Sequence, residues 1–251
     1  MTTAQTNTRT GKVIEVLPKG TISEQKYELA PDAHFITYQP KDKKQRQALK
    51  KGLSKAPRTV KGTSDYIDYD LAMKTGNEIL WHGRQPQIGF YIIFSVNTGL
   101  RVGDTLRLQH QDLAGKTAGD VLNVTEQKTG KVRRIKLNDK IVEGYAYLLQ
   151  RMKAQRIRVR PEDAVFKSQK NHVFHNTAIN RQLKRIFAGI APVVSSHSLR
   201  KSFGRHVWEQ NGSNEKSITV LMKVFGHSSM AITCRYLGIT TAEIDDIYMN
   251  L

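Results

Sequence analysis

Cysteine is almost missing from this chain. Cys234 is the only one among 251 residues, which excludes an intrachain disulfide and suits a reducing compartment. Long apolar runs are missing too, and none approaches the ~20 residues a membrane-spanning helix needs. The opening Met1-Thr2-Thr3-Ala4-Gln5 has neither the charged nor the apolar region of a secretory signal. These absences predict a soluble, cytoplasmic protein with no membrane partner. Acidic residues are scarce as well: 22 Asp and Glu stand against 40 Lys and Arg, for a formal net charge of +18. Such an excess favours a polyanionic partner, because each cation placed on a phosphate releases condensed counterions. On charge alone, a merely basic soluble protein and one touching anionic membrane surfaces remain alternatives. Internal repeats and low-complexity tracts are absent, and no group of His, Cys and Asp has metal-ligand spacing, so no metal is expected.

The basic excess is steepest between Lys41 and Lys61, where nine cations face one acid, Asp42. Apolar residues there are sparse and aperiodic, so little can be buried. Residues 1–63 read as a basic N-terminal arm or linker, ordered only in part, with Val13-Ile14-Glu15-Val16-Leu17 as one short strand. Lys41, Lys43, Lys44, Arg46, Lys50 and Lys51 are its candidate DNA-tracking cations; an ordinary solvated tail is the plainer alternative.

Ordered structure is expected over 64–251. Ser64-Asp65 are placed to cap a helix through Leu71, Ala72, Ile79 and Leu80. Pro86 starts a helix that is apolar nearly all round, which marks central core. A short helix follows Arg101, with Val102, Leu106 and Leu108 inward. Val121–Thr125 and Val132–Leu137 alternate in type around Lys128-Thr129-Gly130-Lys131, predicting a β-hairpin. An amphipathic helix over 139–157 follows, then one capped by Asn176. Three or four short helices come after Ser198, the last over Thr241–Asn250 with an apolar stripe. The fold class is α+β, mainly α-helical, with one small antiparallel β-sheet.

Several side chains suit phosphodiester chemistry. His197 and Arg200, three apart at a helix start, share a face. A guanidinium fork matches two non-bridging phosphate oxygens, and a helix N-terminus adds a favourable dipole. Gly226-His227-Ser228-Ser229 would end one helix at the glycine and start the next at Ser228, leaving Tyr236 about two turns along. Taken alone Tyr236 is a packed aromatic, as Tyr91, Tyr145 and Tyr147 are; what sets it apart is Arg235 before it and Leu237-Gly238 after it. Arg101 follows Thr98-Gly99, directly after the most apolar helix. A guanidinium so deep needs an anion, and Asp104 is expected to accept one of its donors while leaving others for substrate. Lys128 lies at a hairpin tip, where Lys131, Arg133 and Arg134 compete for any role.

Taken as an ordered set, Arg101, Lys128, His197, Arg200, His227 and Tyr236 resemble the tyrosine recombinase (phage integrase) family across residues 65–251. Thr98-Gly99-Leu100-Arg101-Val102-Gly103-Asp104 resembles its first arginine box and Gln127-Lys128-Thr129-Gly130 its lysine hairpin. His197-Ser198-Leu199-Arg200 resembles its second box, and Gly226-His227-Ser228-Ser229 through Tyr236 its third box and nucleophile. The resemblance implies the family's catalytic-domain fold and a site-specific recombinase for integration, excision, inversion or resolution. It implies Tyr236 as nucleophile, His197 as candidate base, His227 as donor to the phosphate, Arg101 and Arg200 as the phosphate clamp, Lys128 as acid and Asp104 in support. Lys131, Arg133 and Lys201 join the arm residues as candidate DNA contacts. No cofactor is implied. Double-stranded DNA is the implied partner, together with a homotetramer on DNA, accessory proteins and a prokaryotic or phage-encoded, nucleoid-associated setting. The C-terminal helix would dock into its own domain or a neighbouring protomer. Residues 1–63 are too few and too polar for the helical core-binding domain of larger members. Two other readings stand beside this one: a type IB topoisomerase-like or hairpin-forming strand transferase, and a non-catalytic DNA-binding regulator that keeps the fold.

Overall fold

A computed structural model describes residues 63–168 and 172–239. Lys41, Lys43, Lys44, Arg46, Lys50 and Lys51, the Val13–Leu17 segment and the Thr241–Asn250 helix lie outside the described residues. The first described helix, α1, spans Tyr69–His82 and is capped by Asp68, which accepts the Leu71 N–H at 2.9 Å. Ser64 and Asp65 therefore do not cap it. Asp65 instead exchanges two bonds with Val193: its N–H donates to the Val193 carbonyl at 2.8 Å, and its carboxylate accepts the Val193 N–H at 2.9 Å.

Helix α2, Pro86–Thr98, has Pro86 in its first turn, where a missing N–H costs nothing. Every residue of α2 except Asn97 is buried. Such burial stabilises by about 1.5–3 kcal/mol for each large apolar side chain. Gly89 lets α1 lie close, because a Cβ there would come within 2.3 Å of the Leu80 nitrogen. Short helices α3 (Val102–Leu106) and α4 (His110–Leu113) follow.

Strands β1 (Val121–Thr125) and β2 (Val132–Lys136) form the only sheet among the described residues, antiparallel, with Val121 opposite Lys136 and Thr125 opposite Val132. Helix α5 runs Asp139–Ala154 behind its cap Asn138, three residues shorter than the span 139–157 that the periodicity predicts. Helix α6 spans Asn176–Ile186; Asn176 is its first residue rather than its cap, which is His175. Helices α7 (Ser196–Gln210), α8 (Glu215–Phe225) and α9 (Met230–Leu237) complete the described chain. Ser229 rather than Ser228 caps α9, accepting the Ile232 N–H at 3.3 Å.

Helices α1, α5 and α7 pack around α2. The apolar core divides into two clusters. A large one centres on α2, with Phe90, Phe94, Phe166 and Leu148, and a small one holds Leu221, Phe225 and Leu237.

Candidate active site

Two helix ends meet here. Helix α2 closes at Gly99 and α8 at Gly226, both in the left-handed region, with φ of 57° and 68°. Gly99 is required twice over, since a Cβ there would also lie 2.3 Å from the Phe203 ring. The last carbonyls of a helix lack intrahelical partners and carry partial negative charge, so they draw cations. Three guanidiniums answer. Arg200, near the start of α7, donates through Nη1 to the Gly99 carbonyl and through Nη2 to the Phe225 carbonyl at 3.2 Å. Arg101 donates to that same Phe225 carbonyl at 3.3 Å. Arg133 of β2 donates to the Gly99 carbonyl at 3.2 Å and to the Thr98 carbonyl at 2.6 Å. Residues 101 and 124 positions apart in sequence thereby share one small volume.

The anion beside Arg101 is Glu126, not Asp104. Arg101 Nη1 lies 2.8 Å from Glu126 Oε2. Asp104 is buried, but it accepts from Arg107 at 3.1 Å and from the Gln127 N–H at 2.8 Å. Helix α3 turns its carboxylate toward the hairpin and away from the guanidinium three residues earlier. Burial acts to raise the Glu126 pKa, but Arg101 and then the Thr129 hydroxyl outweigh it and hold the group below the ordinary carboxylate value.

Tyr236 closes the other side. Its ring lies 5.1 Å from Phe225 and 5.1 Å from His227, centroid to centroid. Its hydroxyl is buried without a well-formed hydrogen bond. Burial raises the phenol pKa above its ordinary 10, and the Arg200 charge opposes that rise. His227 stands in the turn before α9, its Nδ1 3.1 Å from the Thr233 hydroxyl. The His227 and His197 imidazoles both sit below the usual 6.5, through lost hydration first and then through nearby cations that include Arg200 and Arg101. His197 is exposed at the rim of the site.

Arg101, Arg200, His227 and Tyr236 are thus brought together, with His197 at the edge. Lys128 and Lys131 are exposed on the hairpin tip, and Lys128 makes no hydrogen bond or ion pair with the other described residues. Two expected DNA-facing cations point elsewhere. Lys201 is only 5% exposed, with its ammonium 5.4 Å from the centre of the Tyr236 ring. Arg133 is spent on backbone carbonyls, and burial lowers its pKa to about 10. Lys201 is thus buried and Arg133 half-buried, and neither ammonium nor guanidinium is freely displayed at the surface.

Glu126 and the inward role of Arg133 escape the motif reading, although strand parity carries a signal for both. Leu122 and Val124 point inward and Glu126 continues that series; Arg133 precedes Ile135 and Leu137 on the facing strand. A carboxylate and a guanidinium on the buried face of one hairpin each demand a partner.

A family model described as the phage integrase family matches residues 87–243. The probable integrase/recombinase YoeC of Bacillus subtilis (strain 168) is 31% identical over 153 residues, covering 60% of this chain and 76% of its own. Tyrosine recombinase XerC of Rhizobium meliloti (strain 1021) is 27% identical over 154 residues, covering 60% of this chain and 45% of its own. Among solved structures, the XerH site-specific recombinase bound to palindromic difH substrate, a post-cleavage complex, shares the fold with a TM-score of 0.56. Its identity is 17%, over 77% of this chain and 56% of that one.

Proposed function

The chain belongs to the phage integrase family, and from that premise we propose that it is a site-specific recombinase that cuts and rejoins double-stranded DNA through Tyr236. The observation that carries this reading is the convergence of Arg101 and Arg200 on one carbonyl, with the Tyr236 ring packed beside it. Two guanidiniums at that spot offer donors to the two non-bridging oxygens of a phosphodiester, whose charge grows in the transition state. Tyr236 Oη forms a bond to the scissile phosphorus, and the bond from phosphorus to the 5′-oxygen breaks. The phenol proton passes to His197, His227 donates to the phosphate, and Lys128 protonates the departing 5′-oxygen. The 3′-phosphotyrosine keeps the bond energy, so the 5′-hydroxyl of another strand religates it without nucleotide hydrolysis.

Engagement of DNA has two tasks beyond binding. It exposes the Tyr236 hydroxyl, and it swings Lys128 from the hairpin tip toward the leaving oxygen. The basic arm over 1–63 tracks the phosphate backbone, two sites are paired in a homotetramer, and the setting is the cytoplasm of a prokaryote carrying a mobile element. Among the described residues no helix is long and apolar enough to cross a membrane.

A nicked suicide duplex carrying the ends of the protein's own genetic element tests the reading. Wild type forms a covalent protein–DNA adduct that survives denaturation, and Tyr236→Phe forms none. Arg101→Ala and Arg200→Ala each lower cleavage by about 10²–10³-fold, the usual effect of removing one transition-state donor. An adduct that persists in Tyr236→Phe overturns the assignment of the nucleophile. Relaxation of supercoiled plasmid without any product joining two sites favours a topoisomerase-like strand transferase instead.

A further inference from the structure

Glu126 occupies a position that the phosphate-clamp account does not use. One carboxylate oxygen, Oε2, takes two partners from different parts of the fold: Arg101 Nη1 at 2.8 Å and the Thr129 hydroxyl at 2.9 Å. Thr129 is the residue after Lys128. The backbone of Glu126 holds the same turn from below, its carbonyl accepting the Gly130 N–H at 2.8 Å and its N–H donating to the Lys131 carbonyl at 2.9 Å. Asp104 adds a second tie on the other flank of the lysine, accepting the Gln127 N–H at 2.8 Å. Lys128 is therefore bracketed by residues fastened to the arginine-box segment, while its own side chain stays exposed.

A buried carboxylate shared in this way has a chemical consequence. The Arg101 guanidinium, paired with Glu126 through its buried Nη1, also attracts an incoming phosphate oxygen. A phosphate drawing on Arg101 weakens the hold on Glu126 Oε2, and that change passes directly to Thr129 and the turn. We propose that Glu126 is a positioning residue that couples phosphate engagement by Arg101 to delivery of the Lys128 ammonium to the leaving 5′-oxygen. The inference rests on the assignment of Lys128 as the acid in the reading above.

The experiment separates the two. Single-turnover cleavage is measured on a nicked suicide duplex and on the same duplex with sulfur in place of the bridging 5′-oxygen. A thiolate leaves without a proton, so a defect in acid delivery vanishes on the sulfur substrate, whereas a defect in clamping the phosphate stays. On the oxygen substrate Lys128→Ala is expected to lose about 10²–10⁴-fold. Glu126→Gln is expected to lose about 10–100-fold, the scale of one hydrogen bond to a charged group. Thr129→Val is expected to lose less, in the same direction. On the sulfur substrate all three recover to near the wild-type rate, and Arg101→Ala does not.

Recovery of Lys128→Ala without recovery of Glu126→Gln and Thr129→Val overturns the coupling and leaves the acid assignment standing. Failure of Lys128→Ala to recover overturns the acid assignment and the coupling with it. Wild-type rates for Glu126→Gln on both substrates also overturn the coupling. If Glu126→Gln melts well below wild type, Thr129→Val decides alone, since it cuts the same link at an exposed threonine.

Discussion

Helix α2, which delivers Arg101, is buried along its length and sits at the centre of the large core. Helix α9, which delivers Tyr236, buries only Thr233 and Leu237 and leans on a cluster of three fully packed residues. In the proposed mechanism, the phosphate-binding side of the site is thus tied to the global stability of the domain, and the nucleophile side to a small satellite. Elements with few buried apolar contacts open at lower free energy than the core does. A nucleophile whose hydroxyl is shut away needs such an element, while a clamp that must meet a phosphate in fixed geometry needs the opposite. Arg200 is the strap between the two, one donor on the Gly99 carbonyl and another on that of Phe225.

The largest effect that tests this contrast comes from emptying each cluster in turn. Phe90→Ala removes a fully buried ring from the large core and is expected to cost about 3–5 kcal/mol of global stability. Leu237→Ala removes an equally buried side chain from the small cluster and is expected to cost about 2–3 kcal/mol, near the low end for leucine, because few neighbours lose contact. Amide hydrogen exchange separates them. Phe90→Ala should accelerate exchange throughout α2 and α5, whereas Leu237→Ala should accelerate it in α9 with α2 unchanged. Equal loss of protection in α2 and α9 upon Leu237→Ala would make the two clusters one cooperative unit.

The same contrast explains what the sequence discloses. Helix α2 is plain in the apolar run from Ile88 to Val96, and the hairpin in the alternation around Gly130, because hydrophobic period follows directly from which face is buried. The order of Arg101, Lys128, His197, Arg200, His227 and Tyr236 marks a candidate site, of which the fold gathers Arg101, Arg200, His227 and Tyr236 around Phe225. Partner choice is less accessible. Asp104 is near Arg101 in sequence, yet helical geometry turns it to Gln127 and Arg107, and Glu126 reaches Arg101 only because the hairpin folds back. Lys201 reads as one more surface cation beside Arg200 until α7 is seen to bury that face. Helix starts slip by several residues, as with Asp68 in place of Ser64, since every Ser or Asp near the boundary is a competent cap.

Acid offers a milder way to load both regions. His227 lies against the Tyr236 ring, His197 stands at the rim near Arg200, and His110 is buried. Lost hydration, joined at the first two by the Arg200 and Arg101 charges, holds all three below 6.5. Their folded values are depressed, so below pH 6.5 the unfolded chain binds more protons than the native one. Their contribution to stability is complete above about pH 6.5 and is lost as pH falls through the folded values. Denaturant melts at pH 7.5 and 5.5 should therefore show a less stable protein at the lower pH. In the double variant His197→Gln/His227→Gln, the opening free energy of α9, corrected for intrinsic exchange, should lose its dependence on pH, while that of α5, whose Tyr145 hydroxyl lies 2.9 Å from His110 Nδ1, keeps it. With His197 as base, the acid limb of the cleavage rate lies below pH 6.5 as well; a limb at or above that value would remove His197 from the role.

The smallest effect is expected where the chemistry is most sensitive. Tyr236→Phe deletes one oxygen that is buried without a well-formed hydrogen bond. A buried hydroxyl in that state carries an uncompensated desolvation cost. Its attraction to the Arg200 charge offsets part of that cost. The ring keeps its packing on Phe225 and His227 and its place beneath the Lys201 ammonium. Stability should change by no more than about 0.5 kcal/mol in either direction, small beside the 1–3 kcal/mol typical of breaking a satisfied buried bond, even as the covalent adduct disappears. Thermal melts of the two proteins should superimpose. A loss well beyond that range would mean that the phenol is bonded to Arg200 in solution. The nucleophile would then be fastened to the clamp, and opening α9 would require breaking the strap between the two regions.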